Sequence, residues 1–573
     1  VATFTTYIHL LVCLCSAAAQ DVQVDISGGT LLGSRGHLSR QGREYVAFRA
    51  IPYAQPPIDS LRYKAPVAVS PWEGIKDVRE VGPACAQAAL GINKGEEDCL
   101  HLYVYTPKVP DAEANSEESS TLPVLVWFHG GSFVVGSGGA MDPSLLMDRD
   151  MVLVIPQYRL GSLGFFSTDS DASPGNYGML DQVLALQWVQ ENIHAFGGNP
   201  NQVTLAGDCA GGASAIYHML SPLSQGLFHG VISLSGSPLN PWAHQHRNRR
   251  FLLILANYLK CPAHDLNVLM ECFTKDVKLT ELLEGQELIL EGRDLLVGNH
   301  RLSPMHAKEE QDLTGHFLPT HPLTALENGP ITPVPVMLGV TKDVGSYLVD
   351  MVLYDFISDQ MSSKSKFLEE LVPMILKESS VANAEDNQQE YLQYYFSDTK
   401  LDNLTAMLPG LAQMLGDVHY HAGIIETAKL LSAHVPTRLF RFDYALGPRL
   451  FSWRHPDDSE APPLLNDLVS HGDEMFFLLP DVDITSLGSD QQEFAQNFID
   501  SIYNFVCGRS PRDDWPFIRR KDSFPTLVWG NDGTPTLESF TDKDHLKQLN
   551  TIHQHIHYQI LNPPEKLHPK DEL

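Results

Sequence analysis

Cys209 stands in the surroundings that most resemble a reactive centre. It lies in the segment "VTLAGDCAGGASA", Val203 to Ala215, where an apolar run leads into Gly-Asp-Cys-Ala-Gly and then into small residues that open a helix. This is the layout of a nucleophile elbow, G-x-S-x-G, with a thiol where the pattern has a hydroxyl. A nucleophile on such a turn sits at a helix N-terminus, where free N–H groups and the helix dipole favour developing negative charge. Ala210, Gly211, Gly212 and Ala213 are the small residues so tight a turn requires. A thiol ionises near pH ~8.5, and a neighbouring imidazolium and a helix end predict a lower value still. A second segment, "FHGGSFVVGSG" from Phe128 to Gly138, follows an earlier apolar run, as a loop of oxyanion donors would.

Both loops need strands to hold them side by side. The runs "LPVLVWFHG", "MVLVIPQY", "NQVTLAGD", "GVISLSG", "VPVMLGV" and "TRLFRFDYA" are short, rich in β-branched residues and bounded by Gly, Pro or Asn. They predict buried parallel strands. In "GMLDQVLALQWVQENIHAF" Leu180, Leu184 and Trp188 fall on one helical face, Ile193 and Phe196 extend it, and "GGNP" is the stop. The pattern is an α/β sheet flanked by helices, in one large domain with helical insertions between Arg249 and Glu327 and between Asp350 and Val435. "DAEANSEESST", Asp111 to Thr121, and "SWRHPDDSEAPP" near Trp453 read as solvated loops.

With 573 residues, 43% of them hydrophobic, the chain can bury a large core, and no stretch is apolar enough to span a bilayer. A net charge of −30 with scattered basic residues argues against nucleic acid and fits a solubilising surface. The start, "YIHLLVCLCSAAAQDV", reads as a secretory signal over residues 1–19, cut before Gln20. The far end, residues 567–573, carries Lys570, Asp571, Glu572 and Leu573, the address that returns proteins to the lumen of the endoplasmic reticulum through the receptor that reads it. Residues 20–566 lie between them as the main domain. An oxidising lumen makes Asn403-Leu404-Thr405 a glycan acceptor and directs attention to cysteine pairs. Cys85 with Cys99, and Cys261 with Cys272, close short loops; Cys209 then remains a free thiol, and Cys507, in an amphipathic helix, an inert core residue.

The chain resembles the type-B carboxylesterases, the family of liver carboxylesterases and cholinesterases. The resemblance rests on "FRAIPYAQPPIDSLRY", "EEDCLHLYVYTP", "FHGGSF", "YRLGSLGFFST", the long segment "PGNYGML" to "CAGGASA", "SPLSQGLFHGVISLSGS" and "SHGDEMFF", in that order. It implies an α/β-hydrolase fold, makes the two cysteine pairs the family's disulfides, and places the oxyanion donors on the N–H groups of Gly131, Ser132 and Ala210. Ser132 stands where the family usually has a third glycine. The resemblance puts the catalytic histidine on His471 and makes Arg62–Glu97 and Arg159–Asp181 structural ion pairs. It implies no cofactor and no metal. At the family's acidic position stands Val344, one residue after Asp343, and an aspartate one step away on an extended chain points to the opposite side.

Two readings follow. Loss of the acid costs a serine triad about four orders of magnitude, but a thiol needs the acid less, so Cys209 and His471 could hydrolyse uncharged small-molecule esters, or transfer their acyl groups, weakly in the lumen. The same two replacements equally suit a silent homologue that binds a protein or an apolar ligand. A thiol-disulfide oxidoreductase lacks its C-x-x-C.

Overall fold

The computed structural model describes residues 21–561 except 90–91, 111–120, 169–172, 246–248, 291–301, 307–314, 350–366, 380, 398–403, 449–467, 481–486 and 520–522. The signal segment, Asn403, the terminal tail and most of the two solvated loops lie outside the described residues. Each of the six apolar runs is a strand: Leu122–Phe128, Val152–Pro156, Gly198–Asp208, Gly230–Leu234, Val336–Thr341 and Thr437–Phe442. The six pair in parallel with one another, and Pro525–Trp529 extends the parallel run. Antiparallel strands that the sequence pattern did not single out flank them: Asp21–Ile26, Gly29–Leu38, Glu44–Pro52 and His101–Thr106 on one side, Thr536–Ser539 on the other. The result is a mostly parallel mixed sheet wrapped by helices, the α/β-hydrolase arrangement.

The central strand Gly198–Asp208 pairs with Leu122–Phe128 on one side and Gly230–Leu234 on the other, so that Gly207 lies opposite both Phe128 and Ser233. The chain runs from Leu122–Phe128 outward to Val152–Pro156, then returns to Gly198–Asp208, and this reversal of strand order opens a crevice at the strands' C-terminal ends. Both loops picked out by sequence empty into that crevice.

The helix Tyr177–Asn192 is buried on nearly every side. Met179, Leu186 and Val189 are its deepest apolar side chains; of the predicted face Trp188, Ile193 and Phe196 are buried, while Leu180 and Leu184 are only partly buried. Its wet face is the stripe Leu180, Leu184, Gln187 and Glu191, which mixes apolar with polar residues, so apolar periodicity alone does not mark the core side. Gly197, at φ 82, ends the segment as expected. Both insertions are helical, with Arg249–Tyr258, Leu266–Glu271, Leu279–Ile289 and Pro322–Asn328 in the first and Phe367–Glu378, Ala384–Phe396, Leu404–Gly416 and Ala422–Leu431 in the second.

Cys85–Cys99 and Cys261–Cys272 are disulfides with Cα separations of 5.0 and 5.8 Å, within normal bridging range. Cys209 and Cys507 are free thiols. Cys507 is not a core residue: it caps the end of helix Ser489–Val506 and is half-buried. No helix among the described residues is long and apolar enough to cross a membrane.

Candidate active site

The elbow begins with backbone. Cys209 holds φ 51 and ψ −118, a conformation that side chains rarely adopt and that the surroundings must enforce. Its N–H donates to the Leu234 carbonyl at 2.8 Å, and its own carbonyl accepts from Ala213 at 3.0 Å, which ties strand to helix. Small residues are obligatory at the turn. A Cβ on Gly211 would lie 1.9 Å from the Phe128 carbonyl oxygen, so a side chain would push the helix off the sheet. The helix Ala210–Leu220 is buried along its whole length, aimed N-terminus first at the thiol.

The second loop turns toward the elbow through three consecutive residues with positive φ: Gly131 at 112, Ser132 at 54 and Phe133 at 62. Gly130 N–H donates to Asp208 Oδ1 at 3.1 Å, joining this loop to the residue before the nucleophile. As a result the N–H groups of Ser132, Gly131 and Ala210 all hydrogen-bond toward the Cys209 sulfur. Ser132 takes the left-handed conformation where a glycine would be free of strain, and still presents its N–H.

His471 is buried between two phenol rings, Tyr347 at 4.8 Å and Tyr420 at 5.0 Å between centroids. Both phenols are near enough to Cys209 to feel its charge, so thiol and imidazole flank the same pair of rings. His471 Nδ1 is buried and has no hydrogen-bond partner among the described residues. Val344 is fully buried. Asp343 lies in a turn after the strand rather than on extended chain, and its Oδ2 accepts from the Val469 N–H at 3.0 Å while its own N–H donates to the Val469 carbonyl at 2.9 Å. Its carboxylate is committed to the loop that carries His471, not to the imidazole.

Burial sets the charges. It pushes the Cys209 thiol up to about 12, Asp208 adds to the rise, and the three N–H groups pull only partly back. Burial also pushes His471 down to about 4. The expectation of a depressed thiol pKa is therefore corrected: at neutral pH the pair is thiol and neutral imidazole. Desolvation of a charge exceeds what a helix end returns when no counter-charge accompanies it.

Sequence reasoning missed Glu474, although it lies in the quoted "SHGDE". Its Oε1 accepts from Ser235 Oγ at 3.3 Å, its Oε2 has no partner among the described residues, and burial, with Asp208 and Asp473 adding, pushes its carboxyl up to about 8. Tyr347 and Tyr420 were missed as well, and nothing in their local sequence marks them.

Two buried ion pairs brace the surroundings. Arg62 meets Glu97 through two bonds of 2.6 Å, and Arg159 meets Asp181 through Nε at 2.8 Å and Nη2 at 2.7 Å. Such fork-shaped pairs fix geometry as well as charge.

Comparison with known proteins agrees with this geometry. A family model described as "Carboxylesterase family" matches residues 20–554. The chain is similar to the pyrethroid hydrolase Ces2e of Rattus norvegicus, 33% identical over 76% of this chain and 74% of the relative. It is 32% identical to the juvenile hormone esterase of Tribolium castaneum over 73% and 71%, and 30% identical to a carboxylic ester hydrolase of Bombus ignitus over 91% and 93%.

Proposed function

The chain belongs to the carboxylesterase family, and from that premise we propose that it transfers acyl groups from uncharged carboxylic esters to Cys209 and hydrolyses the resulting thioester, slowly, with His471 carrying the proton. One observation carries the reading: three backbone N–H groups converge on the Cys209 sulfur. Donors already aimed at a site of developing charge are the largest single contribution to acyl-transfer catalysis.

The step runs from a neutral pair. As Cys209 sulfur attacks the ester carbonyl, its proton passes to His471 Nε2, and the carbonyl oxygen becomes an oxyanion held by the three N–H groups. Collapse breaks the bond to the alcohol oxygen, which leaves with the proton from Nε2. Water then repeats the sequence on the thioester, releasing the acid and restoring the thiol. With Val344 at the acidic position, nothing fixes Nδ1 as the protonated nitrogen or stabilises the transient imidazolium, and this slows both halves.

A second reading is favoured by the unpartnered His471 Nδ1: a ligand-binding protein that keeps the esterase scaffold without its turnover. A lumenal setting is proposed for either reading on the two disulfides and on Lys570, Asp571, Glu572 and Leu573.

The test is single-turnover mass spectrometry of the protein with an activated ester. The expected result is an acyl adduct on the Cys209 peptide that is abolished by Cys209→Ala and by a thiol-blocking reagent. Turnover that survives Cys209→Ala would overturn Cys209 as the nucleophile, and no adduct or turnover with any acyl chain would overturn the hydrolase reading in favour of ligand binding.

A further inference from the structure

The helix Leu404–Gly416 widens into a π-helical turn, Asp417–His421, which carries a cluster that the acyl transfer does not use. The Asp417 side chain is wholly inaccessible to solvent. His421 Nδ1 lies 2.8 Å from its Oδ1, His545 Nε2 lies 2.8 Å from its Oδ2, and the Tyr395 hydroxyl donates to Oδ2 at 2.8 Å. Among the described residues no lysine or arginine forms an ion pair with it. Its two oxygens are thus shared by two imidazole nitrogens and one phenol, in a pocket that water does not reach.

We propose that Asp417, His421 and His545 form a binding site for one divalent transition-metal ion of the zinc class, held by one carboxylate oxygen and two imidazole nitrogens. The three ligand atoms lie within 4.8 Å of one another, near enough for side-chain rotation to bring them onto one ion. The donor set is borderline, nitrogen with oxygen, and suits zinc better than calcium or magnesium, which prefer oxygen alone. Outer hydrogen bonds orient two of the three ligands, while the far nitrogen of His421, Nε2, is buried without a hydrogen-bond partner among the described residues. Thr541 Oγ1 lies 2.8 Å from His545 Nδ1, Tyr395 holds the carboxylate, and the Phe540 ring meets His421 edge-on at 5.6 Å. A second hydrogen bond on the far nitrogen of a ligating histidine is a recurrent feature of metal sites, because it fixes the tautomer.

The elements explain why the site would have a purpose. Asp417 and His421 are four residues apart on one turn, while His545 comes from the start of the helix Lys543–Leu561, where its N–H is held by Asp542 at 2.8 Å. An ion would staple this C-terminal helix to the turn that carries Tyr420, whose ring packs on His471. Binding frees the ligating nitrogens of the hydrogens they share with Asp417, so His545 keeps its N–H on Nδ1, facing Thr541, and uptake weakens in acid.

The test takes the full chain, stripped with a chelator and dialysed, and titrates it with zinc sulfate against a chromophoric competitor. The expected result is one equivalent bound tighter than micromolar, with a melting temperature that climbs as zinc is added. Cys209→Ser retains that equivalent, whereas His545→Gln loses it. Tyr395→Phe, which removes only the outer hydroxyl, keeps the fold and weakens binding about tenfold. Cobalt(II) in place of zinc gives visible bands of a nitrogen–oxygen site without the near-ultraviolet charge-transfer band of a thiolate. No equivalent of that affinity in the wild-type chain, binding that His545→Gln leaves intact, or a thiolate band that Cys209→Ser removes would each overturn the assignment and leave Asp417 clasped by protons alone.

Discussion

The two halves of the candidate active site are built from different material, one from backbone and one from side chains. On the nucleophile side Cys209 and Ser132 stand where the resemblance expects a serine and a glycine, and the N–H groups of Gly131, Ser132 and Ala210 face the Cys209 sulfur. On the histidine side Val344 stands where the resemblance places the acid, and His471 Nδ1 has no hydrogen-bond partner among the described residues. The oxyanion half is built from backbone and survives a change of side chain so long as φ and ψ are held. The acid half consists of one carboxylate, and no neighbour moves in to replace it, since Asp343 is committed to Val469.

The sharpest way to break this comparison is to disturb the backbone half. In Gly131→Ala a Cβ would lie 2.0 Å from the Val135 carbonyl oxygen, on a residue at φ 112, so the loop must shift and carry its donors away. Single-turnover acylation should fall by at least ~10²–10³-fold, the cost of losing one oxyanion donor. A variant that folds and acylates at the wild-type rate would show that these donors do not work.

Next in size is repair of the side-chain half. Cys209→Ser alone should lower acylation about a hundredfold or more, because an alkoxide needs the oriented base that His471 is not. Adding Val344→Glu should restore turnover on an activated ester above either single variant, and the effects should be strongly non-additive. An inert, folded double variant would mean that the gorge itself has changed.

The pH profile sharpens the charge assignment. With the thiol near 12 and His471 near 4, acylation through neutral imidazole should be flat from pH 6 to pH 9 and fall as His471 takes a proton near pH 4. A rate rising tenfold per pH unit across that range would assign the work to free thiolate instead.

Glu474 offers a test by stability. Its folded-state pKa, raised to about 8, lies above the unfolded value, so the folded state keeps a proton that the unfolded state has lost between those values. Stability therefore falls as pH rises from about 4.5 to about 8. Glu474→Gln should melt higher than wild type at pH 8, by up to a few kcal/mol on the order of this linkage, with the gain fading toward pH 5. An equal difference at both pH values would show that the carboxyl is ionised when buried.

The smallest effect is expected at Ser132→Gly, which relieves a side chain at φ 54. It should stabilise by about 1 kcal/mol in thermal unfolding and change acylation less than about twofold.

The sequence by itself determined the parts that depend on near neighbours in the chain. Apolar runs bounded by breakers fixed the six central strands, the small residues after Cys209 fixed the elbow, and spacing fixed which cysteines could close short loops. Periodicity misplaced the face of the helix Tyr177–Asn192, because two leucines, Leu180 and Leu184, share its wet stripe with Gln187 and Glu191. The edge strands went unread since a half-exposed strand carries little apolar signal. Only the tertiary structure decided the charges, because desolvation depends on everything packed around a group: it raised a thiol that local reasoning would lower, and neutralised the imidazole beside it. Likewise only the folded chain could bring Asp417, His421 and His545 together, since the last ligand arrives from a helix more than a hundred residues away and no local pattern encodes such a meeting.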